Sequence, residues 1–108
     1  MAGLATALAN LGGQEAKLGL TVEALRSTEA SSHLFRILAE ESRDDYLTEL
    51  AQTLHDVAGI QLAAGMKSEV AASAREAVAM YEELAGATPA AFADRLAAAR
   101  DRLRDVDR

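Results

Sequence analysis

YLTELAQTLHDVAG, residues 46–59, decides the fold. Its apolar positions Leu47, Leu50, Ala51, Leu54, Val57 and Ala58 advance by steps of three and four, which lines them along one side of a helix. The stretch LATALANLGG at residues 4–13 aligns with residues 50–59 without a gap, and LAAARDRLRD at residues 96–105 opens with the same Leu-Ala. Leu-Ala thus recurs at positions 4, 50 and 96, two steps of 46 residues. In the same frame Leu8 falls on Leu54, Leu11 on Val57, Gly13 on Gly59, Gly19 on Gly65, Glu23 on Glu69, Phe35 on Tyr81, Leu38-Ala39 on Leu84-Ala85, and Tyr46 on Phe92. Chance supplies Leu and Ala coincidences in so biased a chain. Glycines and aromatics falling in one frame point to an internal repeat.

Each unit reads as two helices. In the second unit they run over 45–64 and 67–87, the latter with Val70, Ala74, Ala77, Tyr81 and Leu84 as its apolar stripe; Leu62 extends the stripe of the former. In the first unit they run over 4–18 and 22–40, with Thr28 and Ser31 where the second unit has alanines. Gly19 and Gly65 sit where a left-handed residue ends a helix. Thr88 can cap a further helix, and Pro89 suits its first position because its missing N–H has no partner there. Ser42 or Asp44 is expected to cap the equivalent helix one unit earlier. No segment alternates with period two, so strands are not expected.

The predicted fold is all-α: one domain, 1–108, of antiparallel helix-turn-helix repeats forming an α-solenoid with about five helices. Repeat one covers 4–49, repeat two 50–95, and a terminal capping helix, 89–107, overlaps the start of a third repeat. Arg100 stands where Leu8 and Leu54 stood, as expected if nothing stacks beyond it. Asp101, Arg102, Arg104, Asp105 and Arg108 place opposite charges three apart, the pattern of a solvated helix surface.

Composition narrows the function. The formal charge is −6 in 108 residues, which argues against nucleic acid and anionic membranes and favours a basic partner. There is no cysteine, so disulfides, thiolate metal sites and a Cys nucleophile are excluded. No apolar run approaches the ~18 residues of a membrane span. The N-terminus lacks the charged region of a secretory signal, so a cytoplasmic location is the default. Alanine is abundant and Lys17 and Lys67 are the only lysines, a composition typical of a GC-rich bacterial genome.

Glycines Gly19 and Gly65 between paired helices, Glu23-Ala24 and Glu69-Val70 opening the second helices, the segment Glu76-Ala77-Val78, and the spacings Leu8-x-x-Leu11-Gly12 and Leu54-x-x-Val57-Ala58 together resemble the tetratricopeptide repeat family. The likeness spans nearly the whole chain. It is nearest to the long-repeat variety of high-GC bacteria, where phrases such as residues 77–85, AVAMYEELA, and 46–51, YLTELA, recur. Two features depart from the family. The period here is 46 residues rather than about 34, so both helices should be long. The bulky aromatic expected in the first helix is missing, with Glu15 and Gln61 near its place. The resemblance implies a scaffold that binds a protein or peptide, often one module of a larger signalling or regulatory protein.

Nothing in the sequence calls for chemistry, so no catalytic, cofactor or metal site is expected. His33 and His55 lie on different helices, and neither has a ligand four residues on. His55 and Asp56 are sequence neighbours, which points them about 100° apart on a helix. Gly12-Gly13 lacks the following Lys-Ser/Thr of a phosphate loop and reads as a site of close helix packing. The acidic run Glu40-Glu41-Ser42-Arg43-Asp44-Asp45 does not have calcium-loop spacing and reads as a polar turn between repeats.

A partner is expected in the groove lined by the first helices of the units. The faces opposite their core stripes carry Thr6, Ala9, Asn10 and Gly13; then Gln52, His55, Asp56 and Gly59; then Ala98, Asp101, Arg102 and Asp105. Asn10, Gln52, His55, Asp56, Asp101 and Asp105 are the candidate binding residues, and Gly13 and Gly59 would let a ligand backbone approach closely. Self-association is the rival expectation. The first helix has no predecessor in the chain, which leaves Leu4, Leu8 and Leu11 partly exposed for a homodimer to cover.

Overall fold

The computed structural model describes residues 1–106. Among them it forms five helices and no strand: α1 (Ala2–Lys17), α2 (Thr21–Glu41), α3 (Arg43–Ala63), α4 (Lys67–Ala87) and α5 (Pro89–Val106). The bounds lie within two residues of those read from the sequence; Asp107, at the expected end of the capping helix, and Arg108 lie outside the described residues.

The 46-residue period governs the turns atom by atom. After α1, Gly19 takes φ +78°, and after α3, Gly65 takes φ +75°. In both, the left-handed residue closes the same pair of bonds. Leu20 N–H donates to the Glu15 carbonyl and Gly19 N–H to Ala16; Met66 N–H donates to Gln61 and Gly65 N–H to Leu62. These are the two bonds that satisfy the orphan carbonyls at a helix end in a Schellman turn. The other junctions break the helix for one residue. Ser42 (φ −148°, ψ 85°) and Thr88 (φ −139°, ψ 75°) are extended, and each N–H donates back to the leucine four earlier, Leu38 or Leu84. The Ser42 hydroxyl does not cap α3 as the sequence suggested. It donates instead to the Asp45 carboxylate at 2.6 Å. Asp44 and Asp45 still favour the helix start through the macrodipole.

Packing repeats as well. Phe35 lies 6.4 Å from Tyr46 at a 36° tilt, and Tyr81 lies 6.5 Å from Phe92 at 37°. One apolar cluster gathers Ala5, Phe35, Leu38, Ala39, Leu50, Leu54 and Ala77, spanning α1 to α4. A second joins Ala51 and Tyr81 to Ala99 of α5, and a third joins Ala58, Val70 and Ala74 to Leu103 and Val106. Of the expected α3 stripe, Leu47, Leu50, Ala51, Leu54, Val57 and Ala58 are buried, but Leu62 is 37% exposed because it falls in the last turn. Leu84 is half-buried rather than core.

The first unit solves the same packing with different residues. Gly12 is buried where α1 meets α2, and a Cβ there would run into Thr28 Cγ2 and stand 3.3 Å from the Ala24 carbonyl oxygen. The Thr28 hydroxyl donates to that carbonyl at 2.8 Å. Ser31 donates to the Ala5 carbonyl at 2.7 Å, so both buried hydroxyls are satisfied by backbone.

At the C-terminal end Arg100 is exposed and pairs with Glu82 at 3.2 Å, in keeping with its charged place in the repeat frame. Leu4 and Leu11 are 57% and 50% exposed at the N-terminal end, and Leu8 is half-buried.

Candidate functional site

The first helices of the units, α1, α3 and α5, border two adjoining concavities. One, of about 370 Å3, is lined by Thr6, Ala9 and Asn10 of α1, by Thr48, Glu49, Gln52, Thr53 and Asp56 of α3, by Arg95 of α5, and by the Phe35 ring at its base. The other, of about 400 Å3, is lined by residues including Gly13, Asp56, Gly59, Ile60 and Arg102. Asp56 borders both, so they form one groove along α3.

Repeat position explains the charge pattern. Glu49 and Asp56 are seven apart on α3, two turns along one side of the helix. One repeat later the same positions carry Arg95 and Arg102, and one repeat earlier they carry Gly3 and Asn10. The groove is therefore neutral along α1, acidic along α3 and basic along α5.

The polar groups are held in place from below. The Tyr81 hydroxyl, rooted in the core, donates to Gln52 Oε1 at 3.1 Å, and Gln52 Nε2 donates to Asp56 Oδ1 at 3.1 Å. Burial raises the Asp56 carboxyl above its usual range, against the opposing effects of the Gln52 hydrogen bond and the Arg102 charge. Arg95 lies over the Phe92 ring, 5.7 Å from its centroid. Arg102 donates to the His55 carbonyl and lies flat on Gly59, where a Cβ would stand 3.0 Å from its nearest guanidinium nitrogen. Gly59 thus makes room for Arg102, not for a ligand backbone; Gly13 has nothing within 4 Å of its missing Cβ.

Of the residues named from the sequence, Asn10, Gln52 and Asp56 come together in the groove. His55 is half-buried beside them and meets α5 through its carbonyl. Asp101 lies elsewhere on α5, lining a third concavity with Ala97, Arg100, Leu103 and Arg104, and it pairs with Arg104. Asp105 is exposed, outside the lining of the three concavities. Sequence reading missed Thr48, Glu49 and Arg95. The reversal from Glu49 and Asp56 to Arg95 and Arg102 in one repeat frame was the available signal. Among the described residues no group of three or more His, Cys, Asp or Glu is placed to hold a metal ion, and no helix is long and apolar enough to cross a membrane.

His55 gives a pH dependence. Burial, then the Arg102 charge, lowers its pKa from 6.5 to about 4. Between those values the unfolded chain binds a proton that the folded chain does not. Stability from this residue is therefore complete above pH 6.5 and is lost as pH falls toward 4. Asp56, shifted upward, acts in the opposite direction at the acid end of this range. We expect a loss of ~1–2 kcal/mol from His55 across the window, after allowing for screening of a partly exposed ring. Urea denaturation at pH 7 and pH 5 checks this, with His55→Asn expected to flatten the difference; an unchanged pH slope in the variant rejects it.

No protein-family model, no curated protein and no solved structure matches the chain.

Proposed function

We propose that the chain is a binding module, without enzymatic activity, that takes an extended segment of another protein across α1, α3 and α5. The segment carries a basic side chain toward Glu49 and Asp56 and an acidic one toward Arg95 and Arg102. The observation that carries the reading is the charge reversal at equivalent repeat positions, which gives one groove two facing rows of opposite sign. Neighbouring helix axes lie ~8–10 Å apart, a span that two or three residues of extended chain cover at ~3.3 Å each. Opposed charges across such a groove set register and partner choice more than raw affinity. The Tyr81–Gln52–Asp56 chain supports this, because pre-placed polar groups lose less freedom on binding. In the same reading the chain is a long-repeat relative of tetratricopeptide modules, part of a larger regulatory protein acting in the cytoplasm. The two 21-residue helices of the second unit and the paired glycine turns support that kinship.

Selection from a random peptide display library tests the proposal. Enriched peptides are expected to place Lys or Arg two to three residues from Asp or Glu. The charge-reversed variant E49K/D56K should bind them at least about tenfold more weakly while its stability changes by less than ~1 kcal/mol. Enriched peptides lacking the paired charges, or bound equally by the variant, would reject the reading.

A further inference from the structure

Large exposed apolar side chains are concentrated at one end of the molecule. Met1, Leu4, Leu11, Leu18, Leu20 and Val22 are between 44% and 74% exposed, and all lie between the cap of α1 and the first turn of α2; Leu62 is the one other large hydrophobic exposed among the described residues. Leu4, Leu11 and Leu18 are seven apart and form a continuous ridge along one side of α1. The repeat frame says what such a ridge is for. Leu50 and Val57, which occupy the places of Leu4 and Leu11 one unit later, are each 3% exposed. Leu50 belongs to the cluster that includes Phe35, Leu38 and Ala39 of the preceding unit's second helix. The α1 ridge therefore has the design of a surface covered by another helix.

The other end of the molecule has the opposite character. On α1 and α3 the flank that receives each unit's own second helix is made of Ala5 and Gly12, then Ala51 and Ala58. On α5 the equivalent flank carries Ala97 and Arg104, joined there by Arg100 and the Asp101–Arg104 ion pair. Stacking one copy's α1 ridge on another copy's α5 would bury those charges against leucine, which is strongly unfavourable. Between copies of this chain, head-to-tail assembly is therefore disfavoured and contact between like faces is favoured.

We propose that the chain forms a two-fold symmetric homodimer through α1, packed antiparallel against α1 of a second copy, with Leu11 near the axis and Leu4 opposite Leu18 of the other copy. The six exposed side chains offer on the order of 600 Å2, at the upper end for a patch left bare on a monomer and close to the ~800 Å2 per partner of a specific interface. Thr6, Ala9, Asn10 and Gly13 face the groove from another side of the same helix, so dimerisation leaves the groove open and sets two grooves in one particle. This goes beyond the peptide-binding reading and stands or falls independently of it.

Light scattering and sedimentation over a dilution series give the first readout. A dimer mass at ~0.2 mM that falls to the monomer on dilution is expected, with Leu11→Glu raising the dissociation constant by about 100-fold and keeping the helical circular dichroism of an intact fold. Leu62→Glu should leave the dimer unchanged. The chain has no cysteine, so Leu11→Cys introduces a single thiol, and mild oxidation should link it to itself across the axis. A monomer at the highest concentration overturns the proposal. So does a mass that grows without limit, which marks head-to-tail stacking, or a dimer that Leu11→Glu leaves intact.

Discussion

Replacing Tyr81 with alanine is expected to lower the unfolding free energy by about 3–5 kcal/mol, a large share of the ~5–15 kcal/mol that holds a domain of this size. Tyr81 is 1% exposed, among the largest fully buried side chains, and it ties α3 to α5 by packing with Ala51 and Ala99. Its fully buried neighbours Ala51 and Ala99 have no rotamers with which to fill the space it leaves, so only the partly buried side chains at the edge of the cluster, such as Phe92 and Leu96, can shift toward it. Tyr81→Phe separates the two roles. It keeps the ring and its contact with Phe92 and removes only the hydroxyl bond to Gln52, so its cost is expected near 1 kcal/mol. The first unit already uses that solution, with Phe35 at the equivalent place. Urea unfolding of both variants, read from the midpoint at constant slope, checks the difference. A cost below 1 kcal/mol for the alanine variant would mean that α5 docks without this ring.

The repeat was legible because helix packing constrains residue type most where backbones turn or rings stack. Gly19 and Gly65 could be paired on sequence because a left-handed residue closes each Schellman turn, and that conformation selects glycine. Phe35–Tyr46 and Tyr81–Phe92 could be paired because equivalent rings fill equivalent gaps. The exposure of Leu4 and Leu11 could be read in the same frame, since their equivalents Leu50 and Val57 are covered by a preceding second helix and no described helix covers α1 in that way, whereas Leu8, expected with them, is half-buried. The groove was only half legible. Its face was taken as the side opposite the core stripe, which suits a helix packed on one side. The middle helix α3 packs against α2, α4 and α5, so a narrower strip is left open, turned toward Thr48, Glu49, Gln52 and Thr53. Gln52 and Asp56 lie on that strip, and Asn10 lines the same concavity from α1. Asp101 lies beyond it, because one residue along a helix turns a side chain by about 100°. Ser42 shows a further limit: its side chain had two acceptable partners, and sequence alone could not choose the Asp45 carboxylate over a backbone N–H.

Gly12 and Thr28 should prove strongly coupled, and the two repeats explain why. The second unit has Ala58 over Ala74 and Val70, where the first has Gly12 over Thr28 and Ala24. At the direct contact the volume taken from the first helix, Gly12 for Ala58, is returned on the second, Thr28 for Ala74, although Ala24 is smaller than Val70. Gly12→Ala alone gains ~1 kcal/mol of helix propensity but drives a methyl into Thr28 Cγ2 and against the Ala24 carbonyl. Overpacking of this kind costs about 1–3 kcal/mol before any such gain, and the backbone on both sides of the contact has little room to shift, so a net loss is expected. Thr28→Ala alone opens a small gap and removes a hydroxyl whose only bonds are to carbonyls of its own helix, so it should cost under ~1 kcal/mol. The double variant recreates the pairing of Ala58 with Ala74 and should be at least as stable as the original chain, because it keeps the propensity gain and loses the clash. A double-mutant cycle by urea unfolding reads this as a favourable coupling of about 1–3 kcal/mol. Additive effects would show that α1 shifts to relieve the contact and that the α1–α2 interface is looser than its second-unit counterpart. That outcome would also bear on dimerisation, since α1 must be held rigidly by Gly12 on its inner side to present Leu4, Leu11 and Leu18 in register on its outer one.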